Sequence, residues 1–326
     1  MVKINICVNK NILCHYIVFM SKLNKILIEN ISSDKLIDYF NEETNRNYKH
    51  IKYDNVCEIF HNEINKIDLY GDINNIEEKK NLEHVFPKSY FKKHPEKDIM
   101  YSDMHNLFLC NSKLNHHREN FKYVDIDDYN FDYTEKFFDN EGQEIENSKD
   151  FYKNQGYIMT VNKNDNVIVP NDYSRGKVAR SIAYFVIKYK CIDKIEDIIN
   201  IDTMIKWALQ DPVDNEEYFK NILCYKHQGN YNPFIIDPVL VAYCFLDKTK
   251  LDIEELITLK KTKSIDHMNA IEYLIKENRI QYEEICGLTE KIKNLEGDVS
   301  DTCCDDDSND IYDSDDIYDI DDIDFL

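Results

Sequence analysis

The 326-residue sequence predicts an α+β fold: a mostly helical domain built around a short mixed segment, with a small β-hairpin insertion. Three observations predict it. Apolar residues recur at three- and four-residue steps over much of 20–75 and again from 177 to 245, the period of helices with one buried face. Between those regions the pattern shortens and alternates, and Asp139-Asn140-Glu141-Gly142 and Lys163-Asn164-Asp165-Asn166 read as turns. At 79–122 an extended run is stopped by Pro87, and a short helix follows that Asn111 or Ser112 can cap.

In chain order, the expectation begins with an N-terminal helical extension over 1–49, where Leu36, Ile37 and Phe40 share a face. One domain follows over 50–250, with its core at 79–122 and the insertion at 123–171, where Tyr157–Val161 and Val167–Val169 read as strands. Helices are expected over 177–189 (Val178, Ile182, Phe185 and Val186 on one face), 202–210, 215–227 and 238–245. The stretch Gln228–Phe234 is a loop rich in turn-forming residues. Over 251–297 an accessory helix or short coiled coil is expected. Ile271, Leu274, Asn278, Gln281, Ile285, Leu288, Ile292 and Leu295 form a heptad seam that admits self-association, although Gly287 weakens the helix. The acidic tail, 298–326, has thirteen Asp and no Lys or Arg, and reads as disordered.

Composition excludes several classes. No apolar run reaches the roughly 18 residues of a membrane helix, so no membrane partner is expected. The stretch Ile12–Met20 follows Lys3 and Lys10 but lacks a small-residue cleavage pattern, and an intracellular location is the expectation. Ten cysteines include no Cys-x-x-Cys pair, which argues against structural zinc and for reduced thiols. The formal net charge of −22 is unevenly spread. Within 79–122, nine Lys and Arg face five acids, a local excess suited to a polyanion.

That same segment carries the candidate chemistry. It runs Asn81-Leu82-Glu83-His84-Val85-Phe86-Pro87-Lys88-Ser89, then Asp103-Met104-His105-Asn106-Leu107, then Asn115-His116-His117-Arg118-Glu119-Asn120. If the short helix packs on the Glu83–His84 strand, a carboxylate, an imidazole, an amide and a guanidinium meet. Glu83 and Asn115 offer the hard oxygens that Mg²⁺ takes. His84, titrating near neutrality, can accept a proton from an attacking water. Arg118 can hold a phosphate oxygen. The plainer reading of each is a solvated or capping side chain, and spacing alone does not exclude it. His94, His116 and His117 read as surface residues, and His105 as a structural hydrogen-bonder.

The three blocks resemble the endonuclease I family of non-specific DNA and RNA nucleases, of the His-Me finger or ββα-metal class. The resemblance extends to Arg175-Gly176-Lys177-Val178-Ala179-Arg180 with Tyr184-Phe185, to Trp207 with Asp211-Pro212-Val213, and to Gln228–Phe234, and covers roughly 50–245. It implies that the helical domain is built around a ββα-metal core. It also implies a metal held by Glu83 and Asn115, His84 as general base, Asn106 supporting the hairpin, and Arg118 with Asn120 supporting the helix or the substrate. The implied cofactor is Mg²⁺, with Mn²⁺ or Ca²⁺ as other divalent ions the site would take. The implied substrates are DNA and RNA. Leu109, His116, His117 and Glu119 depart from the family's pattern. Those departures motivate a second reading, a nucleic-acid-binding or packaging protein on a nuclease scaffold with weak or no catalysis.

Overall fold

Leu36, Phe40 and Thr44 stand four residues apart and line the buried face of the first helix, α1 (Ser33–Arg46), in a computed structural model that describes residues 32–64, 69–70, 80–126, 136–139, 142–145 and 159–248. The described part of the expected N-terminal extension, from residue 32 on, therefore packs into the core. The Phe40 ring meets Phe234 edge-on at 5.7 Å, and the Asn41 amide donates to the carbonyls of Ile187 and Lys188, both at 2.8 Å. The next helix, α2 (Tyr53–Glu63), buries Val56 and Phe60.

The mixed segment folds as two strands and a helix with a connection between the strands. Strand β1 (Lys80–His84) pairs antiparallel with β2 (Leu107–Asn111), with Leu82 opposite Leu109 and His84 opposite Leu107. The connection carries a 3-10 turn at Lys88–Tyr90, a short helix α3 (Lys97–Tyr101) and a second 3-10 turn at Met104–Asn106. Helix α4 (Ser112–Arg118) starts directly after β2. It starts there because the Asn111 side chain accepts hydrogen bonds from the backbone N–H groups of Lys113 and Leu114.

The insertion is larger than a hairpin. Strands β3 (Lys122–Tyr123), β4 (Lys136–Phe138), β5 (Glu144–Ile145), β6 (Met159–Asn162) and β7 (Val167–Pro170) form one mixed sheet in the order β3-β7-β6-β4-β5. β3 runs parallel to β7, and the other pairs are antiparallel. The expected turn at 163–166 forms because the Asn162 side chain accepts from the N–H groups of Asn164 and Asp165, and Asn166 takes φ 55°.

The C-terminal helices follow the expected periodicity: α5 (Asp172–Lys188), α6 (Ile195–Ile198), α7 (Ile201–Gln210), α8 (Asn215–Gln228), α9 (Pro233–Ile236) and α10 (Val239–Phe245). α5 is surrounded, with buried residues on every side of its last three turns. It carries the buried pair Arg180–Glu217, bonded at 2.8 and 2.5 Å, and Arg180 also donates to the Asp211 carbonyl at 2.7 Å. Those contacts give the Arg175–Arg180 and Asp211–Val213 blocks a structural purpose.

A second polar hub centres on Asp103, which is fully buried. Its carboxylate accepts from the His105 N–H, from the hydroxyls of Tyr184 and Tyr189, and from the Gln228 amide. The Gln228 oxygen accepts from the Met104 N–H at 3.0 Å, and His105 donates through Nε2 to the Asn230 carbonyl. Gly229 closes α8 with φ 81°, where a Cβ would lie 2.2 Å from the Asn47 carbonyl oxygen. The Gln228–Phe234 loop thus ties the end of α8 to the connection before β2.

Among the described residues no helix is long and apolar enough to cross a membrane, and Cys57, Cys110, Cys191, Cys224 and Cys244 are free thiols. The heptad seam at 271–295 and the Asp-rich 298–326 lie outside the described residues.

Candidate active site

Neighbouring residues of a strand face opposite ways, and the contacts of Glu83 and His84 divide accordingly. Glu83 is 2% exposed and meets α4 and two tyrosines. Its Oε1 takes the Arg118 guanidinium at 3.0 Å and the Tyr70 hydroxyl at 3.4 Å. Tyr70 and Tyr123 share a hydrogen bond of 2.6 Å between their hydroxyls, and Arg118 Nε donates to the Tyr123 oxygen at 3.2 Å. Among the described residues no hydrogen bond reaches Glu83 Oε2. Burial pushes the Glu83 carboxyl up to about 7, while Arg118, Tyr70 and Lys88 pull it down.

Arg118 lies at 1% exposure. Besides Glu83 and Tyr123 it donates to the Val85 carbonyl at 2.8 Å and to the Glu119 carbonyl at 2.9 Å, and its guanidinium lies 4.7 Å from the Tyr123 ring centroid. Of the two roles expected for Arg118, supporting the helix matches this position. Holding a phosphate oxygen does not, because all three nitrogens are already engaged inside the protein.

His84 packs on the other side of the strand, against Tyr101 (4.7 Å between ring centroids, stacked) and Tyr53 (6.0 Å, stacked), with Phe91 at 6.3 Å. Its Nε2 lies 2.9 Å from the Tyr101 carbonyl oxygen. A carbonyl only accepts, so Nε2 carries the proton and the lone pair of the neutral ring sits on Nδ1. Burial pulls the imidazole down to about 4, the Tyr101 carbonyl opposes that shift, and Lys88 and Arg118 add to it. The expectation that His84 titrates near neutrality is corrected: its enclosure by aromatic rings disfavours the cation. The ring is neutral over the physiological range and can accept a proton at Nδ1.

Asn115 sits one turn before Arg118 on α4 and reaches the same strand. Its Nδ2 donates to Asn81 Oδ1 at 2.8 Å and to the Leu82 carbonyl at 3.3 Å. With the amide nitrogen tied to acceptors, Oδ1 is the atom left to meet a ligand. Helix α4 therefore lies along β1, with Asn115 beside residues 81–82 and Arg118 beside 83–85.

Asn106 fixes the bend after β1. Its side-chain oxygen accepts from the Phe86 N–H at 2.7 Å, its Nδ2 donates to the Phe86 carbonyl at 3.1 Å, and its own carbonyl accepts from the Val85 N–H. Asn120 is exposed and donates to Ser89 Oγ at 3.3 Å, joining the end of α4 to the first 3-10 turn.

Four residues with parts in this arrangement received no role from the sequence: Tyr70, Tyr123, Asn81 and Tyr101. Asn81 opens the quoted Asn-x-Glu-His block, so its position was legible. The two hydroxyls behind Glu83 had no signal, since tyrosine is abundant throughout the chain. Tyr101 acts through its backbone carbonyl, which side-chain identity does not announce.

An antiparallel strand pair followed by a capped helix thus carries a carboxylate and an amide oxygen toward α4 and an imidazole on the other side of β1. The sequence profile of the Endonuclease I family matches residues 21–239, and the chain belongs to that family. Among curated relatives, the extracellular ribonuclease of Bacillus amyloliquefaciens is 33% identical over 84 residues, which are 21% of this chain and 29% of that protein. The extracellular ribonuclease of Bacillus subtilis (strain 168) is 34% identical over 84 residues, with the same shares. The chain thus spans 29% of the length of the curated relatives it matches.

Proposed function

We propose that this protein is a divalent-metal-dependent, largely sequence-non-specific endonuclease of the His-Me finger, ββα-metal class, hydrolysing phosphodiester bonds in DNA and RNA. The observation that carries the reading is His84, buried and neutral, with Nε2 bound to the Tyr101 carbonyl and Nδ1 left as base. Family membership and the names of the two Bacillus relatives support it and bring RNA into the substrate range.

The donor set fits a hard cation. Glu83 Oε2 supplies an anionic oxygen and Asn115 Oδ1 an amide oxygen. Among the described residues no group of three His, Cys, Asp or Glu is placed to hold a metal. Two protein oxygens with the remainder supplied by water and phosphate suit Mg²⁺ better than zinc, which takes three or four protein ligands. When bound, such an ion supplies charge to offset the pentacovalent phosphate and its leaving oxygen. The chain's own residues do the rest. His84 takes a proton from the attacking water at Nδ1, and the Tyr101 carbonyl keeps the ring in the tautomer that permits it. Arg118, Tyr70 and Tyr123 hold Oε1 of Glu83 and so orient Oε2. Asn81 and the Leu82 carbonyl hold the amide of Asn115 in the same way.

Cleavage of supercoiled plasmid by purified protein tests the reading, with Mg²⁺ or EDTA and a His84→Ala control. Metal-dependent nicking should fall by roughly 10²–10⁴ on substitution, the usual contribution of a general base. Intact plasmid in every lane, from folded protein with several metals supplied, would favour a nucleic-acid-binding protein on this scaffold instead.

A further inference from the structure

With Arg118 buried and engaged, no arginine among the described residues of the proposed site is free to meet the negative phosphate. Lys88 is a cation of the described residues that stands beside this site. It is exposed, directly follows Pro87 and begins the 3-10 turn Lys88–Tyr90. The turn is held at both ends. The Tyr90 N–H donates to the Pro87 carbonyl, the Phe91 N–H donates to the Lys88 carbonyl, and the Asn120–Ser89 bond ties the turn to α4. Phe91, closing the turn, packs 6.3 Å from the His84 ring. The turn is thereby lodged between His84 and the end of α4. The charge of Lys88 acts on both Glu83 and His84, and among the described residues Lys88 forms no ion pair.

We propose that Lys88 is a catalytic residue of this enzyme, its ammonium binding a non-bridging oxygen of the scissile phosphate as charge develops there. The inference rests on the endonuclease reading above. A lysine on a fixed turn makes no base contact, so it favours no sequence, as a non-specific enzyme requires. Its flexible stem would give a point charge, not a two-pronged grip.

The test compares Lys88→Gln, Lys88→Arg and Lys93→Gln proteins on a fluorescent oligonucleotide with Mg²⁺. Lys93 is also exposed and lies on the same connection, so its loss controls for a general change in charge. Lys88→Gln should lower kcat/KM roughly ten- to hundredfold, as expected for a hydrogen bond to a charged group. Lys88→Arg should recover most of that loss, and Lys93→Gln should cost less than about threefold, as a screened surface charge does. Binding is read separately in the His84→Ala background, by anisotropy across a salt series without cutting. There Lys88→Gln should reduce the slope of log affinity against log salt by about 0.7–0.9, the value of one phosphate contact. Equal losses in Lys88→Gln and Lys93→Gln, or an unchanged slope, would overturn the role of Lys88 while leaving the nuclease intact. If the unsubstituted protein cuts nothing with any divalent ion, the endonuclease reading fails and the Lys88 role falls with it.

Discussion

At the scale of single residues, Arg118 shows how position changes the meaning of a side chain. A guanidinium that serves a buried carboxylate, a tyrosine hydroxyl and two carbonyls is a stabilising element, and removing it strands the Glu83 charge. Arg118→Leu should lower unfolding free energy by about 3–5 kcal/mol, the usual cost of breaking a buried pair from one side. Urea titration with EDTA present measures this; a loss under about 1 kcal/mol would mean that Glu83 is already neutral or hydrated. That Asn115 and Arg118 lie on a capped helix packed along the Glu83–His84 strand was legible, because these residues stand in a short, ordered pattern. The burial of Arg118 was not legible. It depends on Tyr70 and Tyr123, which arrive from separate segments, and an Asn-x-x-Arg spacing is the same whether the arginine faces solvent or core.

At the scale of elements, periodicity located the helices well and located their partners poorly. The Leu36, Ile37 and Phe40 face was read correctly as helical, yet α1 was assigned to an extension. Its packing partners are α5 and α10, with Phe234 of α9 against Phe40, all far along the chain; a one-dimensional pattern says only that a face is buried, not against what. Phe40→Ala should therefore cost about 3–5 kcal/mol, as for other fully buried aromatics. A loss near zero in thermal or urea unfolding would return α1 to the status of an appendage. The mixed sheet was half-legible for a related reason. β6 and β7 alternate over enough residues to be seen, whereas β3 has two residues and owes its existence to β7 alongside it and to the end of α4 behind it.

For the whole molecule, two buried histidines link stability to acidity. Burial holds His84 at about 4 and His105 at about 3, below the ordinary 6.5. The unfolded chain therefore takes up protons at both positions as the pH falls through 6.5, and the native state does so only near 4 and 3. Their stabilising contribution is complete above 6.5 and is lost progressively as the pH falls toward those folded values. Glu83 works in the opposite direction between about 4.5 and 7, because its folded value is raised. Over 4.5–6.5 these three groups combine to the slope of one histidine, about 1.4 kcal/mol per pH unit. Urea midpoints across that window with EDTA present, in the natural protein and in His105→Gln, measure the term directly. The substituted protein should show a slope shallower by about that amount, and parallel curves would mean that His105 is protonated in the native state.

The Asp103 hub also sets a schedule. Its carboxylate and the connection before β2 are satisfied by Tyr184, Tyr189, Gln228 and Asn230, all of which are synthesised later than the Glu83, His84 and Asn115 they help to place. A nascent chain ending before α8 contains Glu83, His84 and Asn115 and lacks Gln228 and Asn230, which anchor the connection between β1 and β2. Closing that separation must wait for nearly all of the described chain to leave the ribosome, and long-range closure is slow in any case. For a protein proposed to cut RNA without regard to sequence, late assembly delays the cutting edge until most of the message that encodes it has been read.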